Sequence, residues 1–127
     1  MSEATAPGGL RGLRRRLART EQDVDAAELR ESAEGLGAVS IATAPLGEPV
    51  VLSGRIRQVV LRPRAGVPAL AAELFDGTEP ATLVWLGRRR IRGITPGRTL
   101  VVHGRMTRQH GQLTMFNPRY ELRPAGE

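Results

Sequence analysis

The sequence contains no cysteine and no lysine. Without thiols there is no disulfide, no thiolate zinc site and no cysteine nucleophile. Without lysine there is no Walker-type phosphate loop, whose lysine reaches the terminal phosphates. Aromatic residues are scarce, with one Trp, one Tyr and two Phe in 127 residues. Hydrophobic residues still make up 40% of the chain, so a small core is affordable but must be aliphatic. No apolar run reaches the roughly 18 residues of a membrane-crossing helix. The stretch Arg11 to Arg19 is too charged for a signal-peptide core, which makes the cytoplasm the expected location. Only His103 and His110 offer imidazoles, and no metal-type cluster surrounds them. Neither metal nor other cofactor is expected.

The formal net charge is +6, and its distribution is more informative than its size. Residues 1–47 carry six arginines against seven acids, whereas residues 48–127 carry thirteen arginines against six acids. The excess positive charge therefore sits in the second part of the chain, as a polyanion-binding surface requires. The all-arginine basic set suits phosphate forks and base stacking, although codon usage in a GC-rich genome produces the same bias.

Residues 1–8 read as a disordered tail and residues 9–47 as a helical extension and linker. Leu10, Leu13 and Leu17 recur at helical spacing among Arg11, Arg14, Arg15, Arg16 and Arg19. This basic helix fits a nucleic-acid arm, a docking segment for a protein partner, or a solvated helix paired with the acidic helix that follows. A membrane role is disfavoured, because the apolar face has no Trp or Phe. Thr20 followed by Glu21 and Asp23 opens the acidic helix, which is expected to stop at Gly35 with Val24, Ala27 and Leu36 as its apolar stripe.

Beyond Pro49 the hydrophobic period becomes two. Val50–Leu61 reads as the first strand, with Leu52, Gly54 and Ile56 on one face and Ser53, Arg55 and Arg57 on the other. A phase slip at Gln58–Val60 implies a bulge. Arg62–Gly66 is a basic loop, Ala69–Asp76 the second strand and Asp76-Gly77-Thr78 a tight hairpin. Ala81–Leu86 is the third strand, followed by a connection in which Arg88–Ile94 is expected to form a short helical turn. Leu100–Met106 is the fourth strand, Gln109-His110-Gly111 a turn and Leu113–Tyr120 the fifth strand. Residues 124–127 are tail. Three strands, a short helical connection and two more strands predict a mainly β, five-stranded OB-fold Greek-key barrel over residues 48–123, with an SH3-like barrel as the competing architecture. Gly54 and Gly104 are the positions where a missing side chain permits the sharp coiling of so small a barrel.

The segments Val51-Leu52-Ser53-Gly54-Arg55-Ile56, Leu74-Phe75-Asp76-Gly77-Thr78, Leu83-Val84-Trp85-Leu86, Val102-His103-Gly104-Arg105 and Met115-Phe116-Asn117-Pro118-Arg119-Tyr120 resemble nucleic-acid-binding OB domains. They are similar to the anticodon-binding domains of class II aminoacyl-tRNA synthetases and to the wedge domain of RecG-type helicases. The whole chain resembles the small stand-alone OB-fold nucleic-acid-binding proteins of actinobacteria. The resemblance implies the fold and nucleic-acid binding. It carries over no enzymatic activity, because the chain has neither a synthetase nor a motor segment.

OB domains usually bind on the outer face of strands two and three, flanked by the loops between strands one and two and between strands four and five. The candidate contacts are Arg55, Arg57, Arg62 and Arg64 on the first strand and its loop, Arg88 in the third connection, and His103, Arg105 and Arg108 around the fourth strand. Phe75, opposite Leu74 in the alternation, and Phe116, opposite Leu113 and Met115, are the stacking candidates. Trp85 reads as core or as a stacking platform, and Tyr120 as closing the barrel end. Arg88-Arg89-Arg90 fits phosphate contact and a solvated flank equally. Glu73 and Asp76 superficially suggest a carboxylate pair, but opposite strand phases separate them. No Ser-His-acid set is suggested, so the expected role is non-catalytic binding of single-stranded DNA or structured RNA. A protein-interaction domain, or a regulatory adaptor using the N-terminal helices, is the alternative.

Overall fold

The computed structural model describes residues 23–33, 35 and 37–124. The expected tail at 1–8 and the expected basic helix around Leu10–Arg19 lie outside the described residues. Among the described residues, no helix is long and apolar enough to cross a membrane.

Six strands follow one another: β1 (Pro49–Leu61), β2 (Ala69–Phe75), β3 (Pro80–Leu86), β4 (Thr99–Gln109), β5 (Gln112–Phe116) and β6 (Arg119–Leu122). Strand β1 is long enough to serve two neighbours. Its first half pairs antiparallel with β4, from Pro49↔Arg105 to Arg55↔Thr99, and its second half pairs with β2, from Arg55↔Phe75 to Leu61↔Leu70. The β2–β3 hairpin is antiparallel, β3 pairs parallel with β5, and β5 and β6 successively occupy one edge of β4. The ring therefore closes in the order β1-β2-β3-β5-β4-β1.

The sharp turn of β1 depends on Gly54, at the position where the strand leaves β4 for β2. A Cβ there would lie 2.5 Å from the Phe75 carbonyl oxygen, well inside contact distance, so only glycine fits. Gly104 faces the flexible Met115 side chain, with an added Cβ 2.9 Å from its sulfur. The bulge falls between Ile56 and Gln58 and makes Arg57 the extra residue.

Inward alternation yields an aliphatic core of Leu52, Ile56, Leu74, Leu83, Leu100, Val102, Met106 and Met115, each about fully buried. Trp85 belongs to it: the side chain is 5% exposed, its Nε1–H donates to the Pro118 carbonyl at 3.0 Å, and its ring meets Tyr120 edge-on at 5.8 Å. A buried indole needs such an acceptor.

The β3–β4 connection differs from the helix expected there. A single turn closes where the Ile94 N–H donates to the Ile91 carbonyl at 3.1 Å, with Gly93 inside it at φ 86° and Gly97 beyond it at φ 90°. Left-handed glycines and Pro96 prevent a helix from propagating. Ile91 and Ile94 still bury themselves in the core, and the Gly97 N–H donates to the Ile56 carbonyl at 2.7 Å. The fifth strand is likewise not continuous. Asn117, at φ 50°, donates its N–H to the Val84 carbonyl at 2.6 Å and accepts from the Leu86 N–H at 2.9 Å through its side chain. It thereby separates β5 from β6.

Residues 23–33 form helix α1, which packs on the barrel through Leu29 and Ala33, both 5% exposed. The expected stripe is corrected here, because Val24 is 52% exposed and Leu36 lies outside the described residues. The helix passes Gly35 and closes at Gly37, φ 74°, where the Ala38 N–H donates to the Ala33 carbonyl at 3.0 Å. This is the bond of a Schellman cap. Asp25 pairs with Arg55 at 2.8 Å, and Arg30 donates to the Gly77 carbonyl at 2.8 Å. A 3₁₀ turn, Ile41–Thr43, follows. Buried Asp76 holds it: one carboxylate oxygen accepts from the Ile41 N–H at 2.8 Å, and the other accepts from the Thr78 N–H at 2.9 Å and the Thr78 hydroxyl at 2.6 Å.

Candidate functional site

Strand register sorts the outward residues into rungs that run across the barrel. One rung is apolar, joining Val60, Ala71, Val84 and Phe116 from β1, β2, β3 and β5. These residues, with Ala69, make a second small apolar cluster on the outside of the sheet. The neighbouring rung is polar, joining Gln58, Glu73, Thr82, Thr114 and Thr107. Small side chains at 71, 82, 84 and 114 leave a depression above them.

Two hairpins wall that depression. In the β1–β2 connection Arg64 and Val67 exchange N–H···O=C bonds at 2.8 and 2.9 Å around Ala65 and Gly66, at φ 50° and 80°. In the β4–β5 connection His110 and Gly111 also have φ 50° and 80°. Both are two-residue turns with positive φ at each central position, as the I′ type requires. The result is a groove of about 520 Å³, with Ala71, Thr82, Val84 and Thr114 beneath, Arg62 and Arg64 on one wall and Gln109 and His110 on the other. It continues past Gln58 and Glu73 into a further 230 Å³. It also continues towards Glu79, Arg108 and Leu113 into another 290 Å³.

The candidate contacts divide among several locations. Arg62 and Arg64 flank the groove, and the Arg64 guanidinium carbon lies 5.1 Å from the Phe116 ring centroid. Phe116 faces outward at the end of the apolar rung. Arg108 reaches one extension and donates to the Gly111 carbonyl at 3.2 Å. Phe75 also faces outward, on the rung that holds Arg55, and carries Arg57 over its ring at 4.2 Å. Arg55 is bound to Asp25 of α1. Arg88 is exposed where the β3–β4 connection begins, beside the base of the β1–β2 hairpin, since the Gly87 N–H donates to the Pro68 carbonyl at 2.7 Å. His103 and Arg105 lie on the outer face of β4, separated from β2 by β1 and from β3 by β5. There His103 meets Glu121 at 3.1 Å, and Arg105 donates to the Gly47 carbonyl at 2.7 Å. The structure thus gathers Arg62, Arg64, Arg108 and Phe116 at the groove, places Arg57 and Phe75 along its margin, and directs His103 and Arg105 elsewhere.

The groove floor escaped the sequence reading. Ala71, Thr82, Val84 and Thr114 carry no chemistry of their own. Their one visible mark is that each sits opposite a core residue in strand alternation.

The topology matches known architecture. A structure of RecG bound to a three-way DNA junction superposes on 69% of this chain with a TM-score of 0.57 and 22% identity. The fold is the OB fold. The matched part is 12% of the RecG chain. The OB domain of a Thermoplasma acidophilum protein, solved by NMR, superposes on 70% of this chain and 89% of its own length, with a TM-score of 0.56 and 15% identity. No family model and no curated protein matches the chain.

Proposed function

We propose that this OB domain binds nucleic acid non-catalytically, taking single-stranded DNA or the unpaired bases of structured RNA in the groove over β2, β3 and β5. The observation that carries the reading is the juxtaposition of an apolar rung with a basic wall. Val60, Ala71, Val84 and Phe116 offer a surface for bases and sugars, and Arg62 and Arg64 stand beside it for phosphates. Base stacking on an aromatic ring contributes roughly 1–3 kcal/mol per base, and Phe116, at the end of the apolar rung beside Arg64, is the nearest ring. The RecG neighbour, bound to a DNA junction, supports a nucleic-acid ligand. Arg57, Phe75, Arg88 and Arg108 extend the proposed contact surface on either side.

Fluorescence anisotropy of labelled oligonucleotides, titrated with the full chain across salt, tests the reading. Binding that weakens steeply as salt rises is expected. No binding at low salt, or binding indifferent to salt, overturns it.

One observation favours a second reading, docking of a protein segment. The extensions of the groove carry Glu73 and Glu79, which suit a basic peptide better than a polyphosphate. A pull-down that survives nuclease treatment and is lost on Glu79→Lys supports that alternative.

A further inference from the structure

Glu73 stands out within the groove. Every other member of its rung, Gln58, Thr82, Thr114 and Thr107, is neutral, and Glu73 lines both extensions. A carboxylate in that position repels a passing phosphate and only accepts hydrogen bonds. A strand lying in the groove therefore keeps its phosphates towards Arg62 and Arg64 and turns base edges towards Glu73.

The neighbour of Glu73 sharpens the point. Arg57, the bulge residue of β1, places Nη2 3.4 Å from Glu73 Oε2, with the two side chains 46% and 36% exposed. An ion pair so long and so exposed contributes little to folding. Phe75 supports Arg57 from beneath, with the guanidinium carbon 4.2 Å from the ring centroid. A supported donor and a two-oxygen acceptor thus stand side by side along the margin of the groove.

Guanine presents the complementary sequence of groups on its Watson–Crick edge. Its O6 accepts, and its N1–H and N2–H donate from adjacent positions. A carboxylate takes both donors while a guanidinium donates to O6. Thymine and uracil flank their N3–H with carbonyl oxygens, and cytosine and adenine set a ring nitrogen acceptor beside their amino group. Each of these bases turns lone pairs against the carboxylate. The geometry points to Arg57 and Glu73 as a guanine-reading pair for a single strand held in the groove, an inference that rests on the nucleic-acid reading above.

The test uses the full chain and oligothymidylates carrying one central guanine, inosine, adenine or cytosine, compared by competition anisotropy. The guanine strand is expected to bind about tenfold tighter than the all-thymine strand. Inosine, which lacks the N2 amino group, is expected to fall between them. Glu73→Gln and Glu73→Ala are expected to bring the guanine-to-thymine and guanine-to-inosine ratios close to one. Equal wild-type affinity for guanine, inosine and thymine strands overturns the pair's role and leaves nucleic-acid binding standing. A guanine preference that persists in both variants overturns it too. Binding to none of the strands overturns both readings. The wild-type ratios decide the matter even where a variant fails to fold.

Discussion

Replacing Arg62 and Arg64 together by alanine removes the two guanidinium groups that flank the groove, and the effect on salt dependence follows from their number. For single strands, each neutralised phosphate contributes about 0.7 to the slope of log affinity against log salt. Two lost contacts therefore flatten that slope by about 1.4. Across a fourfold rise in salt, from about 50 to about 200 mM, wild-type affinity should fall by about sevenfold more than that of the double variant. Arg64 also lies over Phe116, so the double variant should additionally lose about 0.5–1 kcal/mol of folding stability. The measurement is a set of anisotropy titrations at four or so salt concentrations, with Arg119→Ala as the control. Arg119 is exposed on β6, opposite His103 of β4, away from the groove. An unchanged slope in the double variant, or an equal flattening in Arg119→Ala, refutes the assignment of phosphates to this wall.

Three further outcomes test the architecture. Gly54→Ala drives a Cβ against the Phe75 carbonyl oxygen and should destabilise by about 3 kcal/mol, whereas Gly104→Ala meets the flexible end of Met115 and should cost about 1 kcal/mol; urea denaturation of the two variants checks the order. Asp76→Ala leaves the Ile41 and Thr78 N–H groups without their acceptor and should lower stability by about 3 kcal/mol; a loss under 1 kcal/mol would contradict the anchoring role. Ala65→Asn suits the left-handed φ of 50° and should raise stability by about 0.5–1 kcal/mol, read as a higher midpoint in the same assay.

The side-chain directions along each strand were legible in the sequence because alternation is a local property. Phe75 beside Leu74 and Phe116 beside Met115 point outward, as their neighbours dictate, whereas Trp85, which alternation left between core and stacking, is settled as core only by its burial beside Leu83. Gly54 and Gly104 were legible too, since an aliphatic barrel this small has few ways to bend. What could not be read is register. Val60, Ala71, Val84 and Phe116 become neighbours only when four strands align, and nothing in any one segment announces it. Partners across long separations were equally hidden. Arg55 reads as a free basic residue on an outward face, yet Asp25 of α1 reaches it, and Asp76 reads as hairpin chemistry while its second oxygen serves Ile41. The β3–β4 connection misled because Ile91 and Ile94 have helical spacing, but their burial needs only one turn between left-handed glycines.

The two hairpins beside the groove end in two-residue turns, and that brevity has a kinetic consequence. Neither two-residue turn is long enough to fold over an occupant, so among the described residues neither hairpin roofs the groove. On the nucleic-acid reading, a strand of any length would settle onto it sideways, without a free terminus to thread. Little loop ordering accompanies that event, so the entropic penalty of capture is small and the bound and free shapes differ little. A cleft built this way would exchange such a strand rapidly, suiting transient contact along its length more than permanent capture.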